Sequence, residues 1–126
     1  MLVKQDGRVS VWVGRLADED ALRTYVEVGH VGDEASCPFW SDIGVDWFDE
    51  DFLEAEFHPN GITADQAVFG HSWWKSFAAP VAAVLADRPT VDANAVIVLY
   101  DADYQGTPAE PVGPVVFVNS FDYRKS

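Results

Sequence analysis

Two short runs, Ala95–Tyr100 (AVIVLY) and Val115–Val118 (VVFV), are continuous and rich in β-branched residues rather than alternating. Alternation marks a strand with one dry face, whereas an unbroken apolar run marks a strand covered on both faces. A chain carrying two such runs must place layers on either side of a sheet, and the two runs are expected to form the sheet centre. A third segment, Arg8–Gly14, alternates Val9, Val11 and Val13 with Ser10 and Trp12 and reads as the first strand, with two unlike faces. Trp12 then lies against helices or on an exposed patch, and core packing is the favoured reading.

Helix signals fall between these strands. Asp18 suits an N-cap and Glu19 and Asp20 suit the positive end of a helix dipole, so a helix is expected from about Glu19 to Val28. Ser36, Cys37 and Pro38 open a short helical turn that Gly44 closes. Asp51–His58 is ambiguous by periodicity and is read as an edge strand. Thr63–Gln66 fits a capping box and Gly70 a helix end. Phe77, Val81, Val84 and Leu85 share one helical face; Pro80 starts or kinks that helix, and Arg88 and Pro89 end it. The segment Asp101–Pro114, with two glycines and three prolines, is too long for a tight hairpin between the two apolar runs, and long ordered loops are often functional. The expectation is α+β: a small, mainly antiparallel sheet of about four strands with helices packed on it.

With 126 residues, 48% of them hydrophobic, the chain holds material for one core, and residues 1–126 are expected to form a single domain. Cys37 is the only cysteine and cannot form an intramolecular disulfide. No basic region followed by an apolar one opens the chain, and the longest apolar run, Phe77–Ala86, is about half of the ~20 residues a membrane span needs. A soluble, cytoplasmic protein is expected.

Charge narrows the function classes. The net charge is −13, and all of it lies between Leu16 and Trp74, where fourteen acidic residues meet one basic residue, Arg23. Such a field opposes direct binding of nucleic acid or anionic membrane. Within Asp33–Glu56 nine carboxylates stand with no Lys or Arg, interleaved with Phe39, Trp40, Trp47, Phe48 and Phe52. A disordered acidic tail is poor in aromatics, so the segment is folded. Carboxylates around an aromatic anchor are what a binder of a basic surface presents, against the plainer reading of a solvated acidic face.

No catalytic set emerges. His30, His58 and His71 lack the spacing of a metal site on one helix, and the acidic residues Asp49–Glu56 lack the glycine of a calcium loop. Cys37, followed by proline, reads as packing. His71 beside Ser72 has no nucleophile-elbow context, and Ser72 reads as a helix N-cap. No phosphate-cradling glycine loop occurs, and no cofactor is expected.

Four stretches carry a resemblance: VSVWVG (Val9–Gly14), DWFDEDFLEAEF (Asp46–Phe57), Ser72–Trp73 and NAVIVLYDADYQG (Asn94–Gly106). In that order and at similar spacing they resemble the immunity protein 22 family of bacterial polymorphic toxin systems. The positions that match are Trp12, Gly14, Asp49, Asp51, Phe52, Glu54, Asn94, Tyr100, Tyr104 and Gly106. The resemblance implies a small cytoplasmic protein, not an enzyme, that binds a cognate toxin domain and blocks it. Joined to the charge pattern, it leads to an inhibitor acting by occlusion on a basic toxin domain. Asp42, Asp46, Asp49, Glu50, Asp51 and Glu54 would steer and pair, and Trp47 or Phe48 would anchor. Two other readings stand beside it: a metal-assisted hydrolase using the Asp49–Glu56 carboxylates with His58, and an accessory or dimerising module, since exposed strand edges permit a homodimer as well as a monomer.

Overall fold

The computed structural model describes residues 2–88 and 92–125. Its elements run β1 (Leu2–Gly14), α1 (Glu19–Val26), β2 (Gly29–Val31), β3 (Glu34–Ser36), α2 (Pro38–Ile43), β4 (Leu53–Phe57), α3 (Ala78–Ala86), β5 (Ala95–Tyr104), β6 (Pro111–Val112) and β7 (Val115–Asp122). Five strands form one antiparallel sheet in the order β4-β5-β1-β7-β6, and β2 and β3 form a separate two-stranded ribbon. The architecture is α+β, with one strand more in the main sheet than the sequence suggests and the small ribbon added.

The two apolar runs do not occupy the centre itself. They flank β1, which pairs with β5 on one side and β7 on the other. Both runs are nonetheless covered above and below. One face carries Val9, Val11, Val13, Val96, Val98 and Val118 and packs under Phe77, Val81 and Leu85 of α3. The other carries Trp12, Ile97, Leu99 and Phe117 and packs under Leu22 and Tyr25 of α1 and Phe39, Trp40 and Ile43 of α2. The alternation of β1 thus sends its valines to one layer and Trp12 to the other, where the indole meets Phe39 edge-on at 5.0 Å. Each such fully buried large side chain stabilises the fold by about 1.5–3 kcal/mol.

Local signals explain most boundaries. Asp18 accepts the Ala21 amide at 2.8 Å and starts α1. That helix ends at Val26, two residues before the expected end, because Glu27 is extended and leads into the ribbon. Pro38 opens α2, and Gly44, at φ 76°, closes it in a left-handed conformation that glycine adopts without strain. Pro80 occupies the first turn of α3, where its missing N–H leaves no helical bond unmade. Pro89 lies outside the described residues. Asp51–His58 divides into a short 3₁₀ turn, Glu50–Phe52, and the edge strand β4, which among the described residues pairs only with β5.

Two expectations are corrected. Thr63–Gly70 is not a helix: successive turns run through it, with Gln66 donating to the Thr63 carbonyl, Phe69 to Gln66 and His71 to Val68. A capping-box sequence supplies a start, but here Ala67 and Val68 are drawn into the core and His71 toward β4, and no helical ladder forms. The stretch Asp101–Pro114 is also shorter as a loop than expected. β5 continues to Tyr104, and Pro111–Val112 forms a tight hairpin with β7 across Gly113–Pro114.

β1 bulges. Its pairing with β5 jumps from Lys4–Ala102 to Val9–Tyr100, leaving Gln5–Arg8 to arch over Asp101. The Gly7 amide donates to Asp101 Oδ1 at 3.1 Å, which ties the arch to the strand beneath it.

Candidate functional site

The segment between α2 and β4 holds most of the sequence-derived candidates. Phe48 turns inward: it is 2% exposed, packed edge-on against Trp40 at 5.6 Å and near Phe39 at 6.0 Å. It pins the segment to the core and presents no surface to a partner, so of the two expected anchors only Trp47 is accessible. Asp49 Oδ1 accepts the Asp51 amide at 3.0 Å, and its carbonyl accepts the Phe52 amide at 3.0 Å, which fixes the 3₁₀ turn. With Phe48 and Asp49 so engaged, the groups left facing solvent are Asp46, Glu50, Asp51 and the Trp47 indole, which is 65% exposed.

Two other candidates lie apart from this group. Asp42 accepts the Tyr25 hydroxyl at 2.7 Å and stands against Gly113 of the β6–β7 turn, where a Cβ would collide with its carboxylate. Glu54 pairs with Val98, whose side chain belongs to the α3 face, while Phe48 belongs to the opposite one. Glu54 is a hub: its carboxylate accepts the Ser72 amide at 2.9 Å, the Ser72 hydroxyl at 2.5 Å and His71 Nδ1 at 3.2 Å, with the Tyr100 hydroxyl at 3.4 Å. Burial by itself raises the Glu54 carboxyl, but the hydrogen bonds from Ser72 and the adjacent imidazole outweigh it and hold the group below the usual carboxylate range.

Ser72 therefore does not cap a helix; its hydroxyl is spent on Glu54. Serine and histidine do not point at each other, and both converge on a third residue. Burial lowers the His71 imidazole despite the nearby Glu56 and Glu54 carboxylates, so the ring is neutral at pH 7. Because a carboxylate only accepts, Nδ1 carries the ring proton and Nε2 faces Glu56 Oε2 at 3.6 Å without a proton to share. His58 sits just beyond β4, and its Nε2 is likewise buried without a partner among the described residues. Among the described residues, no three of His, Cys, Asp and Glu converge as metal ligands. Cys37 is buried, its thiol lies 3.5 Å from the Tyr25 carbonyl, and burial raises its pKa; it packs rather than reacts.

Beside Trp47 lies a cavity of about 150 Å³ between the α2–β4 segment and the ends of β1 and β5. Its walls are chiefly Leu2, Phe48, Phe52, Leu99 and Ala102, and Trp47, Lys4, Asp49, Tyr100 and Asp101 complete the lining. At its far end the β1 bulge creates a feature that the sequence did not announce. Asp101 and Trp73, both at φ 55°, hold a left-handed backbone that non-glycine residues rarely adopt. Lys125 joins them, donating to Asp101 Oδ2 at 3.1 Å and lying 5.6 Å above the Trp73 ring and 5.5 Å above Phe52. The Tyr123 hydroxyl donates to Asp101 Oδ1 at 2.6 Å, and Trp73 packs edge-on against Tyr100 at 5.1 Å. Burial raises the Asp101 carboxyl, but Tyr123, the Gly7 amide and Lys125 together hold it low. Strained backbone over-determined by side-chain contacts is a recurrent mark of functional surfaces. Only the exposed tryptophan in an acidic stretch could have signalled part of this in the sequence; the bulge and the left-handed residues carry no motif.

Trp73 itself is 36% exposed. Across residues 9–124 the chain matches the family model described as Immunity protein 22. The chain belongs to the immunity protein 22 family. Neither curated proteins nor solved structures give a match. Membership points to a toxin-neutralising role with a cognate toxin as partner, and immunity proteins are generally not enzymes.

Several positions that carry the resemblance to immunity protein 22 are occupied with the fold. Trp12 fills the core. A Cβ on Gly14 would stand 2.5 Å from the Pro114 carbonyl. Asn94 exchanges two hydrogen bonds with the Leu16 backbone, at 3.0 and 2.9 Å. Tyr100 donates to the Ser72 carbonyl, and Tyr104 to the Ile43 carbonyl at 3.0 Å. Gly106 lies against the Tyr104 ring, where no Cβ fits.

Proposed function

We propose that this chain, acting in the cytoplasm of a bacterium with a polymorphic toxin system, binds its cognate toxin domain through the face carrying Trp47 and the carboxylates Asp46, Glu50 and Asp51. It inhibits by occlusion. The observation that supports this reading is Trp47 itself: a large ring held in solvent by a segment that is otherwise tied down, and flanked in sequence by Asp46, Asp49, Glu50 and Asp51 with no Lys or Arg among them. Interfaces concentrate their energy in such aromatic anchors, and the charge around the anchor selects the partner's sign. A toxin domain that attacks nucleic acid must present a basic surface to phosphate, so an acidic inhibitor can occupy the same surface. Asp42 and Glu54, both engaged inside the protein, are left to hold the fold.

The reading predicts that Trp47→Ser weakens the complex with the toxin domain by about thirtyfold, the loss expected of a hot-spot residue, while the urea midpoint of the free protein stays where it was. Titration calorimetry with the toxin domain recovered alongside the tagged protein measures the first quantity. An affinity unchanged by this substitution contradicts the proposed face.

A further inference from the structure

We propose that the cavity beside Trp47 receives one benzene-sized side chain, a phenylalanine or tyrosine projecting from a basic surface of the toxin; this rests on the immunity reading above and names what that surface grips. The cavity measures about 150 Å³, the size at which an apolar protein cavity stays dry and takes up benzene.

Its walls are mostly apolar, Leu2, Phe48, Phe52, Leu99 and Ala102, and a charged head group seated among them would be desolvated. Two carboxylates also line it: Asp101 already accepts three hydrogen bonds, from Gly7, Tyr123 and Lys125, and Asp49 Oδ1 accepts the Asp51 amide. Lys4 at the margin further disfavours a cationic occupant. A phenyl ring meets no such penalty, a phenol hydroxyl has the Asp49 carboxylate in the lining as an acceptor, and Trp47 at the mouth adds an offset or edge-on aromatic contact. Beside Trp47 and Phe52 in sequence, Asp46, Glu50 and Asp51 are exposed and pair with no cation among the described residues, so the surface surrounding that ring on the partner is expected to be basic. An apolar centre with a charged rim is the anatomy of a specific interface.

Toluene and p-cresol, which mimic the two side chains, test the pocket without any partner. Titrated into the ¹⁵N-labelled protein, they should shift the Trp47 indole and the Leu2, Phe52 and Ala102 amides saturably and leave α3 unmoved. Ala102→Leu, which fills the cavity from its floor, and Leu2→Phe, which fills it from the rim, should each abolish those shifts. Each should also weaken binding of the recovered toxin domain by about thirtyfold. Two filling variants are used so that misfolding of one does not decide the result. Absence of saturable shifts in the native protein overturns the inference. So does toluene binding that the variants abolish while toxin affinity is untouched, an outcome that leaves the immunity reading standing. Failure of the native protein to bind the toxin domain at all removes the immunity reading instead, and with it the identity of the occupant.

Discussion

At the scale of single residues, the Glu54–His71–Ser72 cluster shows how a site-like sequence pattern resolves into structure. Three donors meet one carboxylate, and the imidazole that completes the set is neutral because burial outweighs the two nearby carboxylates. The pH consequence has a definite sign. An unfolded chain takes up a proton on His71 below its ordinary pKa of 6.5, and the folded one resists. Stability from this residue is therefore complete above 6.5 and is lost as pH falls through 6.5 toward the lowered folded value. Glu54 and Asp101 act in the same direction at lower pH, since their folded carboxyls ionise below the ordinary range. His71→Gln keeps a donor for Glu54 and cannot titrate, so urea midpoints measured between pH 7.5 and 5.5 should fall less steeply with acid than those of the native protein. Parallel slopes would show that His71 does not set them. None of this was legible in sequence, because the partners are seventeen or more residues apart and are joined only by the docking of the turn segment on β4. The caps were legible, since Asp18, Pro38 and Gly44 act through neighbours in sequence. Phe48 and Trp47 mark the limit: adjacent, both aromatic and in the same acidic stretch, they point in opposite directions, and no composition argument separates them.

At the scale of elements, strands identified by apolar runs were found but were longer than their apolar cores. β1 and β5 continue past Val9 and Tyr100 because backbone pairing, not hydrophobicity, carries them to Leu2 and Tyr104. Helices followed local chemistry where the tertiary structure agreed with it. α3 tolerates Pro80 because the ring sits in the first turn. Moving that restriction inward separates the two effects: Pro80→Ala should change stability by less than about 1 kcal/mol, whereas Ala83→Pro, at an exposed mid-helix site, should cost about 3 kcal/mol or more. Chemical denaturation of the pair decides it, and equal losses would mean that α3 is not the continuous helix described. The β2–β3 ribbon escaped the sequence reading altogether. All six of its residues are exposed and Val31 at its tip is 81% exposed, so no burial pattern marks it.

At the scale of the whole molecule, the sheet sorts the chain's two tasks. Its valine face and α3 build one core layer, and its aromatic face with α1 and α2 builds the other. From that second layer the α2–β4 segment emerges, anchored by Phe48 and displaying Trp47. The acidic half of the sequence is thus not a uniform charged coat. Asp42, Asp49 and Glu54 are turned to the fold's own donors, while Asp46, Glu50 and Asp51 remain to act at a distance. Steering of this kind can raise association toward about 10⁸–10⁹ M⁻¹s⁻¹ at low salt and fades as salt screens it. The most direct measurement is the association rate of the toxin domain, followed by stopped flow at low and physiological salt, with the native protein and with D46K/E50K/D51K. The variant should associate at least about tenfold more slowly at low salt, with a flattened salt dependence and an unchanged melting temperature. Equal rates and equal salt dependence in a folded variant would contradict the acidic face as the surface that captures the toxin.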